Sequence, residues 1–159
     1  MAARLEHQYP DVRHVRPEDV FSSGDRRPQQ QKQLVDTRTA AERRVSVLPG
    51  AIPLSELERR LVLGENEDSN VECVLYCTIG KRSSDEVRRL ARLHPRAAPR
   101  LCNLRGSVLA WAHAGLPLAD ENSKSVHCYA SPWALLPEGY EPVVFSPLGL
   151  LMAALRPQG

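Results

Sequence analysis

The stretch VLYCTIGKRSS, Val74 to Ser84, joins two opposite tendencies without a break. The run VECVLY that contains its start is rich in strand formers and nearly continuous in apolar residues, as a strand buried on both faces requires. Cys77 ends that run, Gly80 marks a tight turn, and SSDEVRRLARLH (Ser83 to His94) reads as a helix. Ser83 or Ser84 suits its N-cap, Asp85 and Glu86 suit its first turn, and the arginines come late. Val87, Leu90 and Ala91 form its inward stripe. A buried strand that feeds directly into a helix is half of a β-α-β unit and predicts a parallel sheet.

The rest of the chain repeats the pattern. DVRHV (Asp11 to Val15) suits a short strand, and RPEDVFSSG follows with Pro17 at a first helical position and Gly24 as a stop. DRRPQQQKQ reads as a polar loop, and LVDTR (Leu34 to Arg38) as a buried strand with a charged end. Thr39 caps a brief helix AAERR; LPGAIPL is a Pro-Gly turn and a small strand. LSELERRLVLG (Leu54 to Gly64) spaces Leu54, Leu57 and Leu61 helically, ENEDSN is an acidic loop, RLCNL a strand, and GSVLAWAHAG a helix closed by Gly115. The expectation is an α/β domain with a central, mainly parallel sheet flanked by helices. Beyond Pro117 the chain turns to CYASPWALLPEGYEPVVF, with Trp133, Tyr140 and Phe145 among its aromatics. It reads as an extension wrapped over the core.

Ligands of such a sheet sit beyond the carboxyl ends of the strands, where Cys77 lies. A loop of backbone N–H groups, the positive end of a helix dipole, Lys81 and Arg82 would surround its sulfur. Each favours thiolate over thiol. The same N–H groups form an anion cradle, and Gly80 permits the curvature that aims them inward. The plainer reading, a small buried cysteine followed by solvated cations, suits Cys73, Cys102 and Cys128 better than Cys77. Asp36 and Arg38 end a neighbouring strand near the same edge, where an ion pair or cap is the plainer reading.

The 159 residues suit one domain, and a net charge of +2 points to no nucleic-acid partner. The four cysteines show no zinc or thioredoxin spacing, so free thiols and no metal are expected. The start MAARLEHQYPDVRHV lacks an apolar core, and Glu6 and Asp11 count against a transit peptide. VVFSPLGLLMAAL (Val143 to Leu155) is too short to span a membrane and reads as a segment packed on the domain. A cytoplasmic place is expected, with a mitochondrial one left open.

The loop CTIGKRS resembles the active-site loop of the rhodanese-like sulfurtransferases: a cysteine, an arginine five positions on, then a serine or threonine. LVDTRTAAERRVSVLPGAIPL is similar to the family's N-terminal signature, and LRGSVLAWAHAGLPL to its C-terminal one, in the family's order. Two departures stand out. Ser46 and Val47 precede Leu48 where the family often has Gly-His, and Ser107 replaces a second glycine.

The resemblance implies a rhodanese-like domain with a five-stranded sheet over residues 11–118, after a tail of residues 1–10 and before a packed extension of residues 119–159. It implies a Cys77 nucleophile that takes sulfur from an anionic donor such as thiosulfate as a persulfide. A thiophilic acceptor, cyanide or a thiol, then removes it. N–H groups of Thr78, Ile79, Gly80, Lys81, Arg82 and Ser83 would hold the persulfide, the Ser83 hydroxyl would donate to sulfur, and Lys81 and Arg82 would draw in the donor. Arg38 joins the substrate-binding set, and Asp36 is structural beside it. No cofactor is implied; a protein persulfide partner is possible in the cell. Two other readings compete. One is a non-catalytic binding or regulatory module, against which the presence of Cys77 and Arg82 argues. The other is a phosphatase or arsenate reductase of the same fold, whose arginine stands six positions after the cysteine; Ser83 stands there in this chain.

Overall fold

A computed structural model describes residues 2–21, 31–65, 70–120, 123–128 and 136–145. In chain order the elements are α1 (Ala2–Gln8), β1 (His14–Val15), α2 (Pro17–Val20), β2 (Lys32–Asp36), α3 (Ala40–Val45), β3 (Ile52–Pro53), α4 (Leu54–Val62) and β4 (Glu72–Tyr76). They continue as α5 (Lys81–Leu93), a 3-10 turn (Ala98–Arg100), β5 (Leu101–Leu104), α6 (Ser107–His113), β6 (Ser125–His127) and β7 (Glu141–Val143). The five-stranded sheet has the order β1-β5-β4-β2-β3, and every pairing in it is parallel.

Strand alternation divides the core into two layers. Leu34, Val74, Tyr76, Cys102 and Leu104 face one layer with Trp111 and Val108 of α6. Val35, Cys73, Leu75 and Leu101 face the other with Leu57 of α4 and Val87 and Leu90 of α5. The central strand β4 is buried at every position, which explains its near-continuous apolar run.

Several boundaries differ from the sequence reading. β2 begins at Lys32, inside the expected polar loop, because Lys32 and Gln33 continue the ladder opposite Glu72 and Cys73. Its end comes at Asp36, before the expected Arg38, whose side chain folds back on Asp36. The supposed N-terminal tail is largely structured. Ala2–Gln8 is helical, Leu5 packs on the second layer, and Tyr9 is 2% exposed within it. Its hydroxyl donates to Asp85 at 2.7 Å, and the Arg88 guanidinium lies 4.4 Å over its ring. The extension contributes a small parallel pair, β6 with β7. Tyr140 packs on the first layer, and Phe145 meets the His127 ring at 4.5 Å. Gly24, Trp133, part of the ENEDSN loop and most of the last apolar run lie outside the described residues. No helix among the described residues is long and apolar enough to cross a membrane.

Tyr9 tests the place of the N-terminal segment. Tyr9→Ala should cost about 3 kcal/mol in a urea denaturation experiment, because it empties a buried aromatic site. A dispensable tail would show no change.

Candidate active site

From β2 the chain moves outward through α3 to β3, whereas from β4 it crosses through α5 to β5 on the other side. The carboxyl ends of β2 and β4 therefore border a topological switch point, where an open parallel sheet leaves a crevice. Cys77 directly follows β4 there, and Asp36 ends β2 beside it.

The Gly80 N–H donates to Cys77 Sγ at 3.1 Å. Gly80 holds φ +106°, and a Cβ on it would meet Asn103 Nδ2 at 3.3 Å, so the loop needs glycine here. α5 starts at Lys81 with Gly80 at its N-cap, three or four residues before the expected serine caps. Starting early brings the Ser83 N–H of the first turn to the sulfur. Cys77 is only 1% exposed. Burial pushes its thiol pKa up. The Ser83 and Gly80 N–H groups and the Arg82 charge, joined by the Ser83 hydroxyl when it turns to the sulfur, more than offset this, leaving it below the ordinary cysteine value. Burial instead dominates at Cys73 and Cys128 and pushes Cys102 up to about 12.

The two serines have other partners than the helix end. Ser84 Oγ donates to the Gly80 carbonyl at 2.7 Å. Ser83 Oγ donates to Asn103 Oδ1 at 2.6 Å and also lies within hydrogen-bonding reach of the Cys77 sulfur. A hydroxyl has one proton, so it serves one of these acceptors at a time.

Arg82 grips Glu42 with two nitrogens, at 2.9 and 2.6 Å, and lies 3.5 Å from Thr78 Oγ1. Glu42 also closes the capping box of α3 with Thr39. His127 of β6 brings Nδ1 to 3.1 Å from the same carboxylate. Burial pushes the Glu42 pKa up, but the bonds from Arg82, His127 and the Thr39 backbone hold it far below the usual carboxylate range. Lys81, expected to act with Arg82, instead pairs with Asp85 at 3.0 Å on the exposed side of α5. Thr78 is buried beneath Arg82, and Ile79 packs against the first core layer.

The expected substrate-binding Arg38 is placed elsewhere. Its side chain is 0% exposed and forms a two-point pair with Asp36 at 3.0 and 2.8 Å, with a further bond to the Ser46 carbonyl at 2.6 Å. Tyr76 Oη donates to Asp36 at 2.7 Å and accepts from Leu48 N–H at 3.2 Å. Arg38 ties strand ends together and has no surface to offer a donor.

Sequence reasoning passed over Glu42, Asn103, His127 and the role of Ser107. A Glu three places after Thr39 announces a capping box, but nothing in the spacing shows that its carboxylate also reaches Arg82. Ser107 stands at φ +52°, the left-handed region that favours glycine. Its hydroxyl accepts the Cys77 N–H at 3.1 Å and donates to the Leu104 carbonyl at 3.3 Å. The serine thus uses the strained position to anchor the backbone of the nucleophile from behind.

The rhodanese-like domain family model matches residues 22–114. The chain belongs to the rhodanese-like domain family. It is 37% identical over 86 residues to a protein named sulfurtransferase from Allochromatium vinosum, covering 54% of this chain and 76% of that one. A rhodanese-related protein from Thermoplasma volcanium superposes with a TM-score of 0.50 at 21% identity, covering 67% of this chain and 97% of that one. Thiosulfate sulfurtransferase from Pseudomonas aeruginosa gives 0.53 at 19% identity, covering 74% of this chain and 22% of the other. These two structures share the fold. In this rhodanese-like domain Arg82 is held on the buried Glu42.

Glu42 gives a pH test. In the folded chain it stays charged far below its ordinary 4.5, while the unfolded chain takes up a proton near that value. Its stabilisation is complete above the ordinary value and fades as pH falls below it. Glu42→Gln should therefore lower stability at neutral pH and flatten the acid limb, so the two proteins converge toward acid. Urea denaturation from about pH 7 down to about pH 3 reads this; parallel curves would refute it.

Proposed function

We propose that this rhodanese-like domain is a sulfurtransferase that moves a sulfane sulfur from a small anionic donor, thiosulfate or a chemical equivalent, to a thiophilic acceptor. The observation that carries the reading is the buried Cys77 sulfur, held by the Gly80 N–H at the start of α5 with Arg82 beside it. Such a site stabilises a thiolate and accepts one further anionic sulfur atom.

The chemistry follows from that arrangement. The Cys77 thiolate pair attacks the outer sulfur of thiosulfate and forms a new S–S bond. The donor S–S bond breaks, and its pair leaves with sulfite. The persulfide keeps the negative charge, which the loop N–H groups solvate as they did the thiolate. Cyanide or a thiolate then attacks the terminal sulfur and returns Cys77 as thiolate. Arg82 attracts the dianion, with its guanidinium held in orientation by Glu42. The four residues between Cys77 and Arg82 make a short loop that suits a single sulfur better than a tetrahedral oxyanion. The physiological acceptor in this reading is a low-molecular-weight thiol or a protein thiol of the cytoplasm.

Intact-mass spectrometry tests the intermediate. Thiosulfate should add one sulfur atom to the chain, cyanide should remove it, and Cys77→Ser should never acquire it. Transfer that survives in Cys77→Ser would overturn the reading.

The charges give a separate expectation. Arg82→Ala should raise the thiosulfate KM and slow persulfide formation by roughly thirtyfold, the equivalent of about 2 kcal/mol for one charge-assisted contact. Lys81→Ala should do much less, since its ammonium is engaged by Asp85. Stopped-flow measurement of the donor step decides; equal effects would show that bulk charge, rather than the Arg82 position, attracts the donor.

A further inference from the structure

Behind the sulfur lies a line of polar groups, buried at Ser83 and Asn103 and half-buried at His14, that the transfer chemistry does not use. Ser83 Oγ donates to Asn103 Oδ1 at 2.6 Å, and Asn103 Nδ2 lies 3.1 Å from His14 Nδ1. Ser83 is 0% and Asn103 1% exposed, so water does not complete the bond between them, while His14 is half-buried. Asn103 follows the face alternation of β5 toward α5, and β1 brings His14 opposite it in register. Every member has a direction. Ser83 has one proton, an amide has one donating and one accepting end, and neutral imidazole has one of each. The direction chosen at one end is therefore imposed on the other.

We propose that Asn103 and His14 are positioning residues for Cys77: the proton on His14 Nδ1 sets the orientation of the Asn103 amide, which sets whether the Ser83 hydroxyl serves Asn103 or the sulfur. The proposal rests on Cys77 as the sulfur-carrying nucleophile. When Nδ1 is a bare acceptor, Asn103 Nδ2 donates to it, Oδ1 takes the Ser83 proton, and the sulfur receives no bond from that hydroxyl. When the ring is cationic, Nδ1–H requires the amide oxygen. The amide then presents Nδ2–H to Ser83 Oγ, and the Ser83 proton turns to the sulfur. The thiolate gains a hydrogen bond at low pH and is less nucleophilic for it. It loses the bond, and becomes the stronger nucleophile, as pH rises through the His14 titration.

The surroundings of His14 suit a titrating group. Burial draws its pKa below the ordinary value, with Arg105 acting in the same direction and Glu6 and the Tyr9 backbone opposing. Glu6 of α1 and Arg105 pair with each other at 2.6 Å, so their net field at the ring is small.

The test follows Cys77 by the pH dependence of its Cβ carbon-13 shift and His14 by its ring nitrogen-15 shifts, in the full chain. In the parent protein the Cys77 curve should show a second step coincident with the His14 titration. Asn103→Leu should keep the His14 step on the ring and lose it at Cys77. It should also shift Cys77 ionisation about tenfold toward thiolate, because the Ser83 hydroxyl is released to the sulfur. His14→Gln should give a single Cys77 step, and it carries the test if Asn103→Leu does not fold. Amide correlation spectra check the fold of each variant. A Cys77 curve without the second step in the parent, or one that keeps it in either folded variant, overturns the proposal. Persulfide formation, measured by mass in the same samples, separates the two ideas: no sulfur uptake with a coupled titration removes the transferase reading alone.

Discussion

A thiolate withdrawn from water must be solvated again by the protein, and this constraint organises the rest of the molecule. Cys77 is almost wholly buried, and burial alone would keep it a thiol. The dipoles that reverse this come from the backbone of one loop and one helix end. They can only converge on the sulfur if β4 delivers Cys77 to the centre of the sheet and α5 begins at once. The all-parallel order, with crossovers departing in opposite directions from β4 and β2, places that sulfur at the switch point of the sheet.

Around this centre lie two buried ionic knots of unlike purpose. Asp36, Arg38 and Tyr76 join the end of β2 to β4 and to the chain near Leu48, closed to solvent. Glu42 and Arg82 join α3 to α5 at the rim, where the arginine is still 38% exposed at its side chain. Both are carboxylate–arginine pairs at or just beyond a strand end, but only the second leaves its arginine partly exposed.

The β-α-β pattern was readable because strand and helix obey different periods, and the VECVLY run and the Val87–Leu90 stripe announce them locally. Cys77 was readable because a strand end, a glycine and a helix start fall within a few residues of it. What escaped depends on contacts remote in sequence. A glutamate in a capping box looks complete until α5 brings Arg82 to it. Asn103 looks like a polar lapse in a strand until Ser83 appears above it. The helix cap was misplaced by three or four residues because serine is so good a cap that it masks a glycine able to cap earlier. The N-terminal segment looked like a tail because its anchors, Leu5, Tyr9 and the Glu6–Arg105 pair, are too few to set up a period.

All four cysteines of the chain are free and buried, and three of them have thiol pKa values raised by burial. Cys73 and Cys102 belong to the two core layers, and Cys102 has its S–H turned to the Cys73 carbonyl at 3.6 Å. An oxidant or electrophile that enters the crevice therefore finds one activated sulfur and no ionised neighbour to close a disulfide with it. Whatever Cys77 acquires must be taken away by a molecule from outside. The redox behaviour of the domain is accordingly that of a monothiol, set by the thiol pool that bathes it and not by a second cysteine of its own.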